Sequence, residues 1–367
     1  MEKKIMTVCG PVAQEELGFT SMHEHIWADC SMFRNRVRKS CFDFGRRGVE
    51  PEDRLTLDNR SALRHDIVLS VDNMRLDNEA MMTGEVEDFR AGGGGTIVEV
   101  SAPGIRSSPE DLTVIRRIAQ CTGVHIVVST GLYAQDTWPA WFQDMTFDQY
   151  AGYLRREISH GVGGTGILPG HIKAAYEAPS RQLELYLQAA AAVAGETGLS
   201  LQVHLGPDVT RSEVRQVARL LIQGGCVPER TIFCHVQLLM GVLSLERLVT
   251  HPGQMPFDIS LHRELLDQGF VLCFTPLGFE ADNEPLGIAN YPDWYILSGL
   301  VALIRDGYGR QLVIGNDVFT KLATRSGGGE GYRRLSDFVV PVLKRCGVAD
   351  KEISEITQEN PARILAY

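Results

Sequence analysis

The stretch GFTSMHEHIW at residues 18–27 places two histidines one residue apart at the end of a short apolar run. If this run is a β-strand, residues two apart point to the same face, so His23 and His25 project from one side of it. Imidazole nitrogens bind zinc and other divalent cations, and a metal site is one explanation of the spacing. Two ordinary polar residues in a turn are the other explanation, because a His-x-His pair alone is weak support for a metal. The choice depends on donors elsewhere in the chain.

Three further donors each end a short apolar run. His204 ends LSLQVHLG, His235 ends RTIFCHV and Asp317 ends QLVIGND. If these runs are parallel strands of one barrel, their carboxyl ends meet at one rim, which is where barrel enzymes keep their active sites. We therefore predict that these donors lie near the first two histidines. The remaining histidines are interpreted as structural or surface residues: His65, His125, His160, His171, His251 and His262.

Lys173 is unusual because it lies in the apolar run HIKAAY. Burying an unpaired ammonium group is costly, so the lysine could extend its amine to solvent or pair with an acid such as Glu99. Next to several metal ligands, an ammonium would repel the cations. The carbamate that lysine forms with CO2 is an anion whose two oxygens can bridge two metals, and this is the alternative that suits a metal site.

The elements that would position these side chains alternate along the chain. Apolar, β-branched runs lie at 18–25, 95–101, 124–131, 171–176, 199–206, 230–236, 269–275 and 311–317. Helix-like segments separate them, such as residues 180–198, which begin at a serine, are rich in Ala, Leu and Glu, and end at a glycine. Runs without polar alternation, separated by helices, indicate a parallel sheet buried on both faces. Eight such units predict an α/β fold, a (β/α)8 TIM barrel forming one domain over residues 1–367, with an open doubly wound sheet as the alternative.

Three segments are longer than the repeat requires. Residues 27–76 after the first strand are long and charged, and we expect them to form an excursion above the barrel. Residues 276–294 follow the seventh strand, and a further long loop follows the eighth. Loops at these positions would lie over the rim that carries the predicted donors, and they would therefore determine substrate choice.

Composition excludes several classes of protein. The 367 residues are 44% hydrophobic and 22% charged, with a formal net charge of −10 and no long basic run, which argues against nucleic-acid binding. No signal peptide and no apolar run long enough to span a membrane are recognised. The eight cysteines are scattered without a Cys-x-x-Cys pair, which is typical of a reducing compartment. We expect a cytoplasmic homo-oligomer, a dimer, that acts on a small molecule and binds neither nucleic acid nor membrane.

The sequence resembles the phosphotriesterase family of the amidohydrolase superfamily over nearly its whole length. The resemblance rests on GPVAQEELGFTSMHEH at the start, AGGGGTIVEVS and VHIVVSTGLY in the second and third strands, TGILPGHIKAA in the fourth, and ENPARILAY at the end. It implies a binuclear metal hydrolase in which a hydroxide bridges the two metals. Zinc is the expected metal, with manganese, cobalt or iron as alternatives.

Residue by residue, the resemblance implies one metal-ligand set. His23, His25 and Asp317 would bind the more buried metal, and His204 and His235 the more exposed one. Lys173, as the carbamate, would bridge them. Asp317 would also accept the proton of the attacking water, although ligation alone is the alternative role for it.

The sequence departs from phosphotriesterases proper at two places. That branch carries an Asp soon after the sixth-strand histidine and an Asp-His pair at the end of the seventh strand, where this chain has Gln237 and Leu238, and Thr275 and Pro276. The missing residues form a proton relay, so efficient phosphotriester turnover is not expected. Tyr133 stands where the lactonase branch carries a tyrosine. The chain therefore resembles the lactonase and phosphotriesterase-related branch more closely.

We accordingly predict cleavage of a carboxylic ester or lactone, with amide hydrolysis second and phosphotriester cleavage third. A metal- and ligand-binding protein without catalysis is the alternative from another class. Tyr133 is a candidate catalytic and substrate-binding residue. The other substrate-binding candidates are Trp294 and Tyr295, which could also cap a helix, and Lys321 and Arg325, which could also be solvated loop charges.

Overall fold

The computed structural model of the chain describes residues 3–36, 48–243, 245–251, 253–279, 281 and 291–367. An eight-stranded sheet dominates it, with every neighbouring pair of strands parallel. The strands are β3 (Phe19–Glu24), β6 (Gly94–Glu99), β7 (His125–Gly131), β8 (His171–Tyr176), β9 (Ser200–Leu205), β10 (Thr231–Cys234), β11 (Val271–Phe274) and β12 (Leu312–Ile314). Neighbours in the sheet follow chain order, as in a barrel built from successive β/α units.

The first and last strands of this sheet approach each other. The backbone N–H of Asp317, just beyond β12, donates a hydrogen bond of 2.9 Å to the carbonyl of His23 in β3. A Cβ atom at Gly315 would lie 2.9 Å from the Cβ of His23, so only glycine permits this close approach. The predicted TIM barrel is confirmed, and the open doubly wound sheet is not what forms.

Four short strands and twelve α-helices complete the described part of the chain. The strands are β1 (Lys4–Thr7), β2 (Gly10–Ala13), β4 (Ala28–Asp29) and β5 (Arg75–Leu76). The helices are α1 (Leu57–His65), α2 (Glu79–Ala91), α3 (Asp111–Thr122), α4 (Phe147–His160), α5 (Arg181–Thr197), α6 (Arg211–Gln223), α7 (Leu245–Thr250), α8 (Ser260–Asp267), α9 (Asp293–Arg305), α10 (Val340–Arg345), α11 (Asp350–Ser354) and α12 (Asn360–Leu365).

Local sequence accounts for the element boundaries. Ser180 caps α5 by accepting a hydrogen bond of 3.0 Å from the N–H of Leu183, and Gly198 ends the helix in the left-handed conformation. Alternate strand residues separate into two buried layers. In β10, Phe233 packs outward with the helices, whereas Ile232 and Cys234 face the barrel interior. The sheet is thus buried on both faces, as the uninterrupted apolar runs predict.

The long segment after the first barrel strand folds above the rim of the barrel. It forms β4, β5 and α1, and it packs through a cluster that includes Cys30, Leu63 and Tyr133. Residues 37–47 of this segment lie outside the described residues, as do residue 280 and residues 282–290 of the predicted loop after the seventh strand. No helix in the described ranges combines the length and the apolar character of a membrane span.

Candidate metal centre and active site

The six predicted metal ligands line a single cavity of about 350 Å³ at the carboxyl ends of the barrel strands. His23, Lys173 and His204 lie on β3, β8 and β9, whereas His25 follows β3 directly. The other two lie just beyond strand ends, His235 one residue after β10 and Asp317 three residues after β12. Strands distant in sequence therefore bring these donors to one place.

Asp317 lies at the centre of this cluster. Its Oδ1 is 3.3 Å from His25 Nε2 and 3.7 Å from His23 Nε2, and its Oδ2 is 3.9 Å from His235 Nδ1. The imidazole rings of His204 and His235 lie with their centroids 4.4 Å apart. Donors from four strands thus converge within the span of a small metal cluster.

Hydrogen bonds to the second ring nitrogen fix two of the imidazoles. His25 Nδ1 is 2.8 Å from the hydroxyl of Ser101, and His235 Nδ1 is 3.2 Å from the carbonyl of Thr275. If His235 donates at Nδ1, its Nε2 is left as an acceptor, and this buried atom has no hydrogen-bond partner in the part of the chain that the structure describes. Metal-binding histidines usually donate their other N–H in this way, which orients the ring.

Lys173 is buried beside these ligands. Its Nζ lies 3.5 Å from His23 Nε2, and only 1% of the residue is exposed. Burial lowers the pKa of its amine, which favours the neutral, nucleophilic form that reacts with CO2. Glu99, the alternative partner considered from sequence, is instead paired with Arg106 at 3.4 Å.

Glu24 holds the loop that carries Asp317. Its buried carboxylate accepts hydrogen bonds from the backbone N–H groups of Asn316 (2.8 Å) and Val318 (3.0 Å), one on each side of Asp317. The side-chain amide of Asn316 donates a third, at 2.9 Å. Asp317 itself has a φ of 56°, a left-handed conformation that these contacts maintain. Burial raises the pKa of Glu24 to about 7.

The six predicted ligands form what we call the cavity floor. This floor disfavours positive charge on its imidazoles. Burial lowers the pKa of His23 and of His204 well below the usual value, and that of His235 to about 4. Burial alone would raise the pKa of Asp317, but the hydrogen bond from His25 and the nearby His235 lower it overall. These three imidazoles are therefore neutral and the carboxylate of Asp317 is ionised, which are the protonation states that metal binding requires.

This donor set fits two divalent cations. Four imidazoles, a carboxylate and a lysine exceed what one tetrahedral metal site needs. Most of these side chains are at least nine-tenths buried, and His23 Nδ1 and His235 Nε2 have no hydrogen-bond partner among the described residues. Buried polar atoms without a partner are rare, so the arrangement is typical of a site that binds a further group.

Tyr133, the predicted catalytic tyrosine, lies over this floor. Its hydroxyl is 3.4 Å from His204 Nε2, and burial raises its pKa well above the usual value, so it stays a neutral donor. Its backbone carbonyl accepts a hydrogen bond of 2.6 Å from the indole of Trp138, which anchors the loop. The hydroxyl can therefore donate to a substrate oxygen in the cavity.

The cavity wall contains residues that the sequence did not reveal. Phe33 and Phe319 form an apolar side, with ring centroids 6.1 Å apart. Next to Phe33, the guanidinium of Arg36 lies 5.3 Å from the centroid of that ring, and it donates to both oxygens of Glu177, at 3.0 and 3.1 Å, and to Asp136 at 2.7 Å. Glu177 follows β8 by one residue, so its position just beyond a strand end could have identified it as a cavity residue from the sequence. Nothing in the sequence of the long segment marked Phe33 or Arg36.

The positions at which the sequence suggested an absent proton relay carry uncharged residues. Gln237, Leu238 and Pro276 line the cavity. The carbonyl of Thr275 instead supports His235.

The four other predicted substrate residues do not line the cavity. Trp294 is 59% exposed on α9, and the buried Tyr295 donates its hydroxyl to the carbonyl of Pro256. Lys321 pairs with Asp72 and Asp77, at 2.6 and 3.2 Å. Arg325 pairs with Asp88. Only the helix-packing and loop-charge alternatives for these residues match their positions, because α9 and residues 321–325 of the eighth loop lie outside the cavity lining.

We expect Tyr133→Phe to lower kcat and kcat/KM together, by about tenfold to a hundredfold, because it removes a hydrogen bond made to developing charge. Steady-state kinetics on any substrate that the wild type hydrolyses measures this. Tyr308→Phe is the matched control, since Tyr308 donates its hydroxyl to Asp267 on the surface. An unchanged kcat with a raised KM would show that Tyr133 only binds the substrate.

Comparison with known proteins connects this site to a family. The model of the phosphotriesterase family matches residues 3–365. N-acetyltaurine hydrolase of Dictyostelium discoideum is 25% identical over 382 residues, covering 99% of this chain and 97% of that protein. A phosphotriesterase-related protein of Nematostella vectensis is 27% identical over 371 residues, covering 98% of each.

Two solved structures share the barrel. A resiniferatoxin-binding protein from Rhodobacter sphaeroides superposes with a TM-score of 0.85 and 27% identity, covering 99% of this chain and 94% of that one. A mutant of a lactonase from Deinococcus radiodurans superposes with a TM-score of 0.72 and 24% identity, covering 98% and 99%. The second likeness shows the fold alone.

Proposed function

The chain belongs to the phosphotriesterase family, whose members are hydrolases, and from that premise we propose that it is a two-metal hydrolase of carboxylic acyl bonds. The observation that carries the proposal is the convergence of four imidazoles, Lys173 and Asp317 on one cavity floor. No serine or cysteine nucleophile paired with a base is needed for such a reaction, because water is the nucleophile.

The proposed metal ligands are His23, His25 and Asp317 for one cation and His204 and His235 for the other. Lys173, as the CO2-derived carbamate, would be shared between the two. Two divalent cations, zinc being the first expectation, would supply a Lewis acid for the carbonyl oxygen and would lower the pKa of the attacking water.

The protein's own groups then have separate tasks. Asp317 accepts the proton of the attacking water at its carboxylate and returns it to the leaving group. The hydroxyl of Tyr133 donates to the carbonyl oxygen as that oxygen gains negative charge. Phe33 and Phe319 exclude water from one side of the acyl group, which strengthens both interactions.

An N-acyl amide is the substrate class that we now place first. The sequence alone favoured an ester or a lactone. The relatives named for N-acetyltaurine hydrolysis align with this chain from end to end, and they favour the amide bond. Amide hydrolysis requires that the nitrogen is protonated before it leaves as the amine. The proton that Asp317 returns to the leaving group therefore matters more for an amide than for an ester. Esters and lactones remain the second candidate, supported by Tyr133 over the cavity floor. The dimeric assembly and the cytoplasmic location stay predictions from sequence.

A substrate panel tests the proposal. Metal-reconstituted protein is assayed against an N-acetyl amide, an acetate ester, a lactone and a phosphotriester, with N-acetyltaurine and a neutral N-acetyl amide of equal length as a matched pair. We expect kcat/KM to be at least about tenfold higher for the best amide than for the phosphotriester. Preferential turnover of the ester or lactone would support the second candidate. Hydrolysis of none of the four classes would overturn the proposed function.

A further inference from the structure

Two thiols lie beside the histidines, inside the barrel. Cys234 on β10 and Cys273 on β11 are directly paired across neighbouring parallel strands. Both are fully buried and both belong to the cluster that fills the barrel interior. Equivalent positions in strands point to the same face, so the two sulfur atoms face the same space. The proposed hydrolysis uses neither of them.

Nitrogen and oxygen donors surround this pair. One ring nitrogen of His23 and the two sulfur atoms all lie within 4.8 Å of one another. The Sγ of Cys234 is also 3.4 Å from the side-chain carbonyl of Gln202. The amide nitrogen of Gln202 donates to the backbone carbonyl of Met22 at 3.0 Å, which fixes the carbonyl end toward the thiol. The four donors are therefore two sulfurs, a nitrogen and an oxygen.

We propose that Cys234, Cys273 and His23 form a binding site for a soft, thiophilic divalent cation, with Gln202 as a further oxygen donor. Two thiolates and an imidazole select soft and borderline cations over magnesium, calcium or manganese. Binding releases two thiol protons to solvent, and two sulfur–metal bonds form in their place. Since His23 is also a proposed ligand of the catalytic metals, a cation in this thiol site competes with them. The cation binding itself does not depend on the proposed hydrolysis.

The geometry requires only a small adjustment. A tetrahedral cation with metal–sulfur bonds of about 2.3 Å holds two sulfur atoms about 3.8 Å apart. Donor atoms that lie within 4.8 Å of one another must therefore close by at most about 1 Å. Neither sulfur is in a disulfide, and the thiol of Cys234 donates a hydrogen bond to Gln202, so the closure would come from rotation of the two cysteine side chains. The competing interpretation is that the thiols are small apolar fillers of the barrel interior.

Cadmium distinguishes these interpretations, because cadmium–thiolate bonds have an ultraviolet charge-transfer absorption that nitrogen and oxygen ligands lack. The protein, freed of metal and kept reduced, is titrated with cadmium, and the band is followed by absorbance. We expect the band to saturate at about one equivalent of cadmium per chain, because one thiol site is proposed. Cys234→Ser and Cys273→Ser should each remove about half of it or more, since each removes one of two thiolates.

Cys226→Ser is the matched control, because Cys226 is a half-buried free cysteine outside the barrel interior. It should leave the band unchanged. Circular dichroism confirms that each variant is folded, and if one serine variant does not fold the other gives the comparison. A band that is absent from the wild type, or equally strong in the serine variants, overturns the thiol site. Neither result bears on the substrate panel, so the two proposals fail independently.

Discussion

Lys173→Ala is expected to abolish nearly all hydrolysis and to release metal from the protein. The substitution removes the lysine whose carbamate would bridge the two cations, and the four histidines and Asp317 are then left to hold two cations that repel each other. We expect kcat/KM to fall by at least about a hundredfold, and metal content to fall below about two per chain. Steady-state kinetics and elemental analysis of the same preparation measure the two effects.

Added short carboxylic acids provide the sharper test of the carbamate. Acetate can enter the space vacated at Lys173 and supply two anionic oxygens, so part of the activity and of the metal should return. Lys321→Ala is the matched control, because Lys321 is a largely buried lysine paired with Asp72 outside the cavity. It should keep wild-type kcat and metal content. If Lys173→Ala behaves as this control does, the lysine is structural and the bridge is wrong.

Asp317→Asn is expected to lower kcat by about a hundredfold to ten-thousandfold while most of the metal stays bound. Asparagine keeps an oxygen that can bind a cation, but it cannot accept the proton of the attacking water. It also tolerates the left-handed backbone at this position, where φ is 56°, so the fold should be preserved. Kinetics together with elemental analysis separates the role as proton acceptor from the role as ligand.

Asp293→Asn is the control for this substitution. Asp293 is a largely buried aspartate whose carboxylate pairs with Arg334 at 2.8 Å, outside the cavity lining. It should affect stability rather than kcat. If Asp317→Asn keeps kcat within about twofold of the wild type, the carboxylate acts only as a ligand, and another group accepts the proton.

The donors on regular strands could be predicted from the sequence because strand geometry fixes their direction. His23 and His204 lie within apolar runs, and a period of two places them on the inner face. Strand geometry brings His23, Lys173 and His204 to one cavity, and the other three predicted ligands join them from just beyond strand ends. His235 and Asp317 lie just beyond their strands in left-handed backbone, which no sequence pattern predicted. Their nearness to a strand end was nevertheless enough to place them at the rim of the barrel.

The residues around the substrate could not be predicted in the same way. Whether Trp294 or Phe33 faces the cavity depends on how a long loop turns, and loop direction is set by contacts distant in sequence. Trp294 and Tyr295 lie on α9, outside the cavity lining, and Lys321 forms an ion pair with Asp72. Glu177 and Asp136, from two other loops, hold the guanidinium of Arg36 at the cavity. Three separate segments therefore determine this side of the wall.

His235 and Asp317 are the only non-glycine residues with positive φ among the described residues. Each left-handed residue destabilises the fold by about 1 kcal/mol relative to glycine. Selection for turnover and selection for a durable fold therefore oppose each other at these two positions. A descendant that no longer hydrolyses anything gains stability by drifting to glycine there. Glycine at both positions would thus mark lineages in which catalysis has been abandoned while the barrel persists.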